Sequence, residues 1–134
     1  VNAVGNYMRN LQNKENHPFL GYKPARYTID IWANVLGSND HQSSHIHNQG
    51  WMSGVYYVSL PKNSVEENPY AGWLEFNRPG YGLPALGGEE NFERIAPKPG
   101  MIVMFPSYVW HGTIPFSSPD TRISVAFDVH ADYR

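Results

Sequence analysis

The chain has 134 residues, a net charge of −2 and no cysteine, with 41% apolar, 14% aromatic and 16% charged residues. This composition indicates a folded, β-rich protein, and the lack of cysteine excludes disulfides, thiolate zinc sites and cysteine nucleophiles. The length favours one domain over 1–134, the scattered basic residues disfavour nucleic acid as a partner, and no apolar run is long enough to cross a bilayer. These features fit a cytoplasmic location and are compatible with a homo-oligomer.

The beginning of the chain predicts one short helix. Within residues 1–20, Tyr7, Met8 and Leu11 share one helical face. The run 16–18 ends with a proline and should end the helix, because the residue before a proline avoids the helical conformation.

The rest of the chain predicts strands, since apolar and β-branched runs alternate with Gly, Pro, Asn and Ser turns. The predicted strands are Arg26–Leu36, 45–47 (a strand or strand end), 52–60, 72–76, 92–96, 101–105, 108–112 and 121–129. The run 101–105 is continuously apolar, as is typical of a fully buried strand. Strands of this number, with one N-terminal helix, predict a sandwich or jelly roll.

Three histidines form the strongest chemical pattern. His45 and His47 are separated by one residue, so their side chains point to the same side if the segment is a strand. His111 on a neighbouring strand can close a three-nitrogen face on a metal ion, with positions left open for water, cosubstrate or oxygen. Two imidazoles on one face are costly to bury unless something uses them. A small metal-dependent enzyme is therefore predicted.

A basic residue follows the third histidine at a useful distance. Ten residues, Gly112 to Thr121, separate His111 from Arg122, enough for a turn and the start of a strand. A guanidinium that returns beside a metal is suited to hold a carboxylate by its two-point fork. Arg122 alternates with Ile123 in a strand with apolar neighbours, which argues against a plain surface cation.

In their order and spacing these motifs resemble the iron(II)- and 2-oxoglutarate-dependent oxygenases, most closely small members related in pattern to prolyl hydroxylases. The resemblance spans 27–129, and its carriers are His45-Ile46-His47, the segments 53–58, 72–76 and 97–100, Phe105-Pro106, His111-Gly112 and Arg122-Ile123-Ser124. It implies an all-β fold, a double-stranded β-helix or jelly roll with a short N-terminal helix, in which Fe(II) is held at one open end.

The resemblance also implies roles for individual residues. His45 matches the first metal ligand of the family and His111 its distal histidine. Arg122 matches the arginine that grips the distal carboxylate of 2-oxoglutarate, Ser124 a nearby hydroxyl, and Tyr57 a tyrosine that donates to the same carboxylate. For Tyr57 an ordinary strand aromatic is the alternative. The implied activity is hydroxylation of an unknown small-molecule or peptide substrate, with release of succinate.

The chain departs from this family at His47, where most members have an Asp or Glu. Three neutral imidazoles leave one more positive charge on the metal centre, which changes its redox potential and its affinity for anions. His47 is expected to be a ligand, with Asp40 as the alternative if its loop folds back. A three-His set also resembles cupin-type dioxygenases or isomerases that do not use 2-oxoglutarate. A catalytically silent β-sandwich binding module is expected instead if the histidines do not converge.

The substrate side is less defined by the sequence. Residues 81–91 are Gly-rich with little periodicity, which predicts a loop and a candidate lid. Trp51, Trp73 and this loop are candidates to line or cover the substrate.

Overall fold

The structure, a computed structural model, describes residues 2–62 and 68–132. Helix α1 spans Ala3–Asn10, and the Asn2 side chain caps it by accepting a 2.8 Å hydrogen bond from the backbone N–H of Gly5. The predicted helical region began at residue 1, outside the described residues. The helix ends earlier than 16–18, because Leu11 is extended and the polar residues after it offer no apolar face to pack. Within the described residues, no helix has the length and apolarity to span a membrane.

Seven strands are present in the described part of the chain. They are β1 Arg26–Leu36, β2 Met52–Ser59, β3 Leu74–Phe76, β4 Glu93–Ile95, β5 Ile102–Pro106, β6 His111–Thr113 and β7 Arg122–Asp132. One sheet has the order β1-β7-β2-β5 and the other the order β4-β3-β6, and the paired strands are antiparallel. The predicted all-β jelly roll with a short N-terminal helix is confirmed.

The larger sheet has an apolar cluster on each face, as the two-residue alternation of strands requires. On the outer face, α1 packs over residues that include Met52, Phe127 and Val129. On the inner face, Phe105 packs against Phe76 of the smaller sheet, with ring centroids 5.0 Å apart. The site described below lies at the edge of this inner layer.

Three strand predictions need adjustment. Of the predicted strand 108–112, only His111 and Gly112 lie in a strand, β6. The segment 45–47 forms no strand; His45 makes a single antiparallel bridge with His111, which corresponds to the predicted strand end. The segment 101–105 was predicted to be fully buried, but Ile102 is 43% exposed. The reason is that β5 is the last strand of its sheet, so no further strand of the described chain lies beside its outer edge to shield its side chains from solvent.

We expect Gly54→Ala to destabilise the protein. A Cβ at Gly54 would overlap the ring of Phe127 on the neighbouring strand, and extra atoms in a packed layer cost about 1–3 kcal/mol. Urea denaturation should show that loss. Gly37→Ala is the matched control, because its Cβ would meet Asp40 only at an ordinary 3.5 Å. Equal stability of Gly54→Ala and the wild type would contradict the packing described here.

Candidate metal centre and adjoining cleft

Backbone hydrogen bonds bring the three predicted histidines together. The N–H of His45 donates to the carbonyl of His111 at 2.9 Å, and the N–H of His111 donates back to the carbonyl of His45 at 3.1 Å. The N–H of His47 donates to the carbonyl of Ser107 at 3.0 Å. His111 also pairs with Phe76 in the smaller sheet. The backbone therefore sets the positions of all three rings before any ligand is considered.

The rings of His45 and His111 are oriented by backbone carbonyls. Nδ1 of His45 lies 2.7 Å from the carbonyl oxygen of Ser43, and Nδ1 of His111 lies 3.0 Å from that of Val109. Because a carbonyl only accepts, each Nδ1 carries the proton, and each Nε2 is left with a free lone pair. This is the tautomer that a histidine needs in order to bind a metal through Nε2.

The third ring is oriented by a carboxylate. Nδ1 of His47 lies 2.7 and 2.6 Å from the two carboxylate oxygens of Asp128. Nε2 of His47 then faces Nε2 of His45 at 3.0 Å, and one ring nitrogen from each of the three histidines, His111 included, lies within 4.8 Å of the others. Lone pairs at this distance repel one another unless a cation or an extra proton lies between them. The donor set suits a divalent metal ion.

Burial keeps one of these rings neutral. Desolvation, with a smaller contribution from the neighbouring rings of His45 and His47, lowers the pKa of His111 from 6.5 to about 4, against an opposing hydrogen bond to the carbonyl of Val109. The buried imidazole is therefore uncharged at neutral pH, as a metal ligand must be.

The predicted cosubstrate residues line one narrow cleft with the three histidines. Arg122, Tyr57 and Ser124 are at most 2% exposed. Nη1 of Arg122 donates to the hydroxyl of Thr113 at 3.4 Å, and its Cζ lies 5.2 Å from the centre of the Tyr57 ring. Within the described part of the chain, the Arg122 Nε and the Tyr57 hydroxyl have no hydrogen-bond partner. No ion pair to Arg122 occurs among residues 2–62 and 68–132.

A buried guanidinium without an ion-pair partner is unfavourable, because it has lost its hydration. Burial lowers the pKa of Arg122 and raises that of Tyr57, because desolvation disfavours the charged form of each group. Buried charges in proteins are normally paired, so this arrangement calls for an anion with oxygen acceptors. A carboxylate meets both requirements.

The cleft opens beside a much larger cavity. The free volume of the cleft is about 30 Å³ and that of the cavity about 580 Å³, and His45 lines both. In the cavity wall, the buried carboxylate of Glu75 accepts hydrogen bonds from Arg78 at 2.5 and 3.1 Å and from Arg94 at 2.9 Å. Tyr81 of the predicted 81–91 loop also lines this cavity. Of the three histidines, His45 thus borders both the narrow cleft and this wider space.

Two tryptophans do not line this cavity. Trp51 stacks on Phe19, with ring centroids 4.9 Å apart, in the core beneath α1. Trp73 lines a separate pocket together with Phe116. The structure places Trp51, a candidate to line or cover the substrate, in the apolar core on the outer face of the larger sheet instead of in this cavity.

The structure separates the two candidates for the unusual ligand position. His47 lies in the cluster, whereas the carboxylate of Asp40 accepts a 2.8 Å hydrogen bond from the N–H of Gly37 in its own exposed turn. Sequence reasoning missed Asp128. The available signal was its even spacing along β7, four residues from Ser124 and six from Arg122, which places all three on one strand face.

Comparisons with known proteins agree with this geometry. The sequence profile of a family described as "Putative 2OG-Fe(II) oxygenase" matches residues 30–128. A prolyl-4-hydroxylase structure from Pseudomonas putida superposes with a TM-score of 0.56 at 17% identity, over 88% of this chain and 58% of that one. A 2OG-Fe(II) oxygenase family oxidoreductase from Burkholderia pseudomallei gives 0.58 at 14% identity, over 83% and 48%.

The chain spans only about half the length of these two solved structures, and their likeness supports the double-stranded β-helix fold. No curated protein matches the sequence. The profile match covers most of the chain, in the region that contains the three histidines and Arg122. The chain belongs to the 2OG-Fe(II) oxygenase family.

Proposed function

We propose that this protein is an Fe(II)- and 2-oxoglutarate-dependent oxygenase that hydroxylates a C–H bond of a small-molecule or peptide substrate. One observation carries the proposal: three converging imidazole nitrogens share a cleft with a buried, unpaired guanidinium. The first feature suits a metal ion and the second suits an anionic cosubstrate. Family membership then selects Fe(II) and 2-oxoglutarate among the metals and anions that would fit.

His45, His47 and His111 would hold the metal through their Nε2 atoms. Imidazole nitrogen suits Fe(II), and three ligands on one face leave coordination positions free. When bound, Fe(II) supplies the redox chemistry by which oxygen is activated and 2-oxoglutarate is decarboxylated to succinate. The protein contributes the tautomers, which its Nδ1 hydrogen bonds hold in place.

Arg122 would bind the C5 carboxylate of 2-oxoglutarate by its fork, with the hydroxyls of Tyr57 and Ser124 as further donors. The cleft must open for this, since about 30 Å³ is room for one water and not for a five-carbon acid. Trp32 is the exposed member of the described cleft lining, and its ring stacks 5.7 Å from that of His47. Outward rotation of Trp32 would widen the entrance.

The substrate would approach from the larger cavity, because His45 forms part of its wall. In that arrangement the cosubstrate lies in the buried cleft and the substrate in the open cavity. Burial around the reactive centre excludes water, which limits side reactions of the oxidant.

A three-His cupin-type dioxygenase or isomerase is the second candidate, and the ligand set itself favours it. The buried Arg122 argues against it, because an enzyme that does not bind 2-oxoglutarate needs no arginine to hold the C5 carboxylate of that cosubstrate. The silent binding module was expected to lack convergence of the histidines, and the described residues do converge.

We expect His111→Ala to lose most of its bound metal. His111 is the buried member of the cluster, so its removal leaves two ligands and a gap on the protein side. Metal content after loading with Fe(II) without oxygen, followed by dialysis, is the measurement. His130→Ala serves as control, because that ring is outside the cluster and faces Asp30. Unchanged metal content in His111→Ala would exclude it as a ligand.

Burial of His111 should make the stability of the metal-free protein depend on pH. In the folded state its pKa is about 4, against 6.5 for the free side chain, so between these values the unfolded chain binds more protons. The free energy of unfolding should fall as pH drops from about 6.5 to about 4, and His111→Asn should flatten that slope. Denaturation series across this window, with the exposed His41→Asn as control, test it; identical slopes for wild type and His111→Asn would contradict it.

We expect Arg122 to determine affinity for 2-oxoglutarate. Loss of a charged partner from a buried carboxylate costs ~2–5 kcal/mol, or on the order of 30- to several-thousand-fold in Kd. Arg122→Ala should show that full loss and Arg122→Lys a smaller one, because an ammonium keeps the charge but not the planar fork. Metal binding should survive both changes, since a protonated guanidinium is not a ligand.

The measurement is titration of anaerobic, metal-loaded protein with 2-oxoglutarate, and Arg26→Ala controls for removal of an exposed arginine. Succinate release on addition of oxygen gives the second readout. Metal-loaded wild type that fails to bind 2-oxoglutarate, or equal affinity across the Arg122 series, would reject the oxygenase assignment and favour the cupin-type alternative.

A further inference from the structure

We infer that Asp128 is a positioning residue of the metal centre. It orients His47, and through the His47 ring it supplies the metal with the negative charge that a carboxylate ligand would otherwise supply. The inference rests on the proposed function for the presence of a metal. It is carried by the contacts of Asp128, which are those of a side chain held in one orientation.

Two donors hold the carboxylate of Asp128. The single N–H at Nδ1 of His47 is shared between the two oxygens, at 2.7 and 2.6 Å, and the hydroxyl of Ser53 donates at 2.6 Å. The Ser53 hydroxyl lies in turn 2.7 Å from that of Ser107. Asp128 is 8% exposed and the two serines at most 1%. A buried carboxylate with these partners has little freedom to turn elsewhere.

Backbone pairing holds the same residues in place. Ser53 on β2 lies directly opposite Asp128 on β7, and the carbonyl of Ser107 accepts the N–H of His47. Gly50 allows this close approach, because a Cβ there would overlap the Ser107 hydroxyl. His47 is therefore fixed relative to Asp128 in two ways: its ring donates to the carboxylate, and its backbone N–H donates to Ser107, which contacts Ser53.

The carboxylate remains charged in this setting. Both of its oxygens accept hydrogen bonds, Oδ1 from His47 and Ser53 and Oδ2 from His47, which is the pattern of an ionised carboxylate. A ring that donates Nδ1–H to a carboxylate is a stronger electron donor at Nε2. Asp128 thus both fixes the tautomer of His47 and strengthens it as a ligand.

Charge counting explains why this partner is carboxylate rather than carbonyl. A divalent metal on two neutral imidazoles and one carboxylate has one net positive charge, whereas three neutral imidazoles leave two. Asp128 restores the lower value from one ring farther away, and His45 and His111, which face carbonyls, need no such partner. The ligand set has no carboxylate, but the carboxylate of Asp128 is hydrogen-bonded to His47, the residue at the position where most of the family has Asp or Glu.

The test is metal affinity, measured with Co(II) by competition against a chromophoric chelator. Asp128→Asn keeps the shape and the acceptor but removes the charge, and Asp128→Ala removes both. Loss of such a partner typically weakens metal binding about 10- to 100-fold, so we expect Asp128→Asn near the lower end and Asp128→Ala near the upper end. The Co(II) absorption band should shift in both.

Asp30→Asn is the matched control. Asp30 also faces a histidine, His130, at 3.0 Å, but at an exposed strand edge and outside the cluster, so Co(II) affinity should not change. Ser53→Ala gives a milder variant that keeps His47 and Asp128 and should weaken Co(II) binding by a smaller factor. This variant keeps the inference testable if the Asp128 variants fail to fold.

A double-mutant cycle separates positioning from general stabilisation. In a His47→Asp background the ligand no longer has an Nδ1–H to donate, so Asp128→Ala should cost no Co(II) affinity and should even improve it by removing a like charge. Equal losses in both backgrounds would overturn the inference. Wild type that binds Co(II) and 2-oxoglutarate while Asp128→Asn and Asp128→Ala bind Co(II) as tightly would reject the role of Asp128 alone. Failure of wild type to bind metal would reject the proposed function with it.

Discussion

Strand β7 is paired along both of its edges, with β1 on one side and β2 on the other, and the geometry of the site follows from that constraint. Alternation along β7 places Arg122, Ser124 and Asp128 on the inner face, while Phe127 and Val129 pack on the outer face beneath α1. A slip of one residue would exchange the two sets, so the apolar contacts of the outer face also fix the polar groups of the inner face. The register of β7 therefore determines both the packing of the core and the positions of the polar groups in the site.

The two sheets meet at the site through the bridge between His45 and His111. This bridge connects the loop that contains His45 to the smaller sheet, while His47 is held to the larger sheet by Ser107 and Asp128. Of the three candidate ligands, His111 thus lies on the smaller sheet, while His45 and His47 lie in a loop that is hydrogen-bonded to both layers. An ion bound among them would link the layers, in addition to any chemical role.

The buried polar groups at the two ends of this inner face differ in how many of their hydrogen-bonding atoms have partners. Asp128 accepts from two close donors, His47 and Ser53, whereas Arg122 and Tyr57 each keep a donor atom without a partner among the described residues. A satisfied buried network rigidifies its surroundings, and an unsatisfied one is unfavourable until a ligand supplies the missing acceptor. This contrast fits a metal end that is preorganised and a cosubstrate end that is completed on binding.

By itself the sequence determined the bounds of β1, the jelly-roll class, and the candidacy of the three histidines and Arg122, because local alternation and motif spacing do not depend on distant contacts. Only the tertiary structure decided that Trp51 belongs to the core, that Ile102 is exposed on an edge strand, and that Asp128 is hydrogen-bonded to His47. These depend on which strands become neighbours and in which register. Asp128, which lies 81 positions after His47 in the sequence, becomes its hydrogen-bond partner only when β2, β7 and the loop before β2 are assembled.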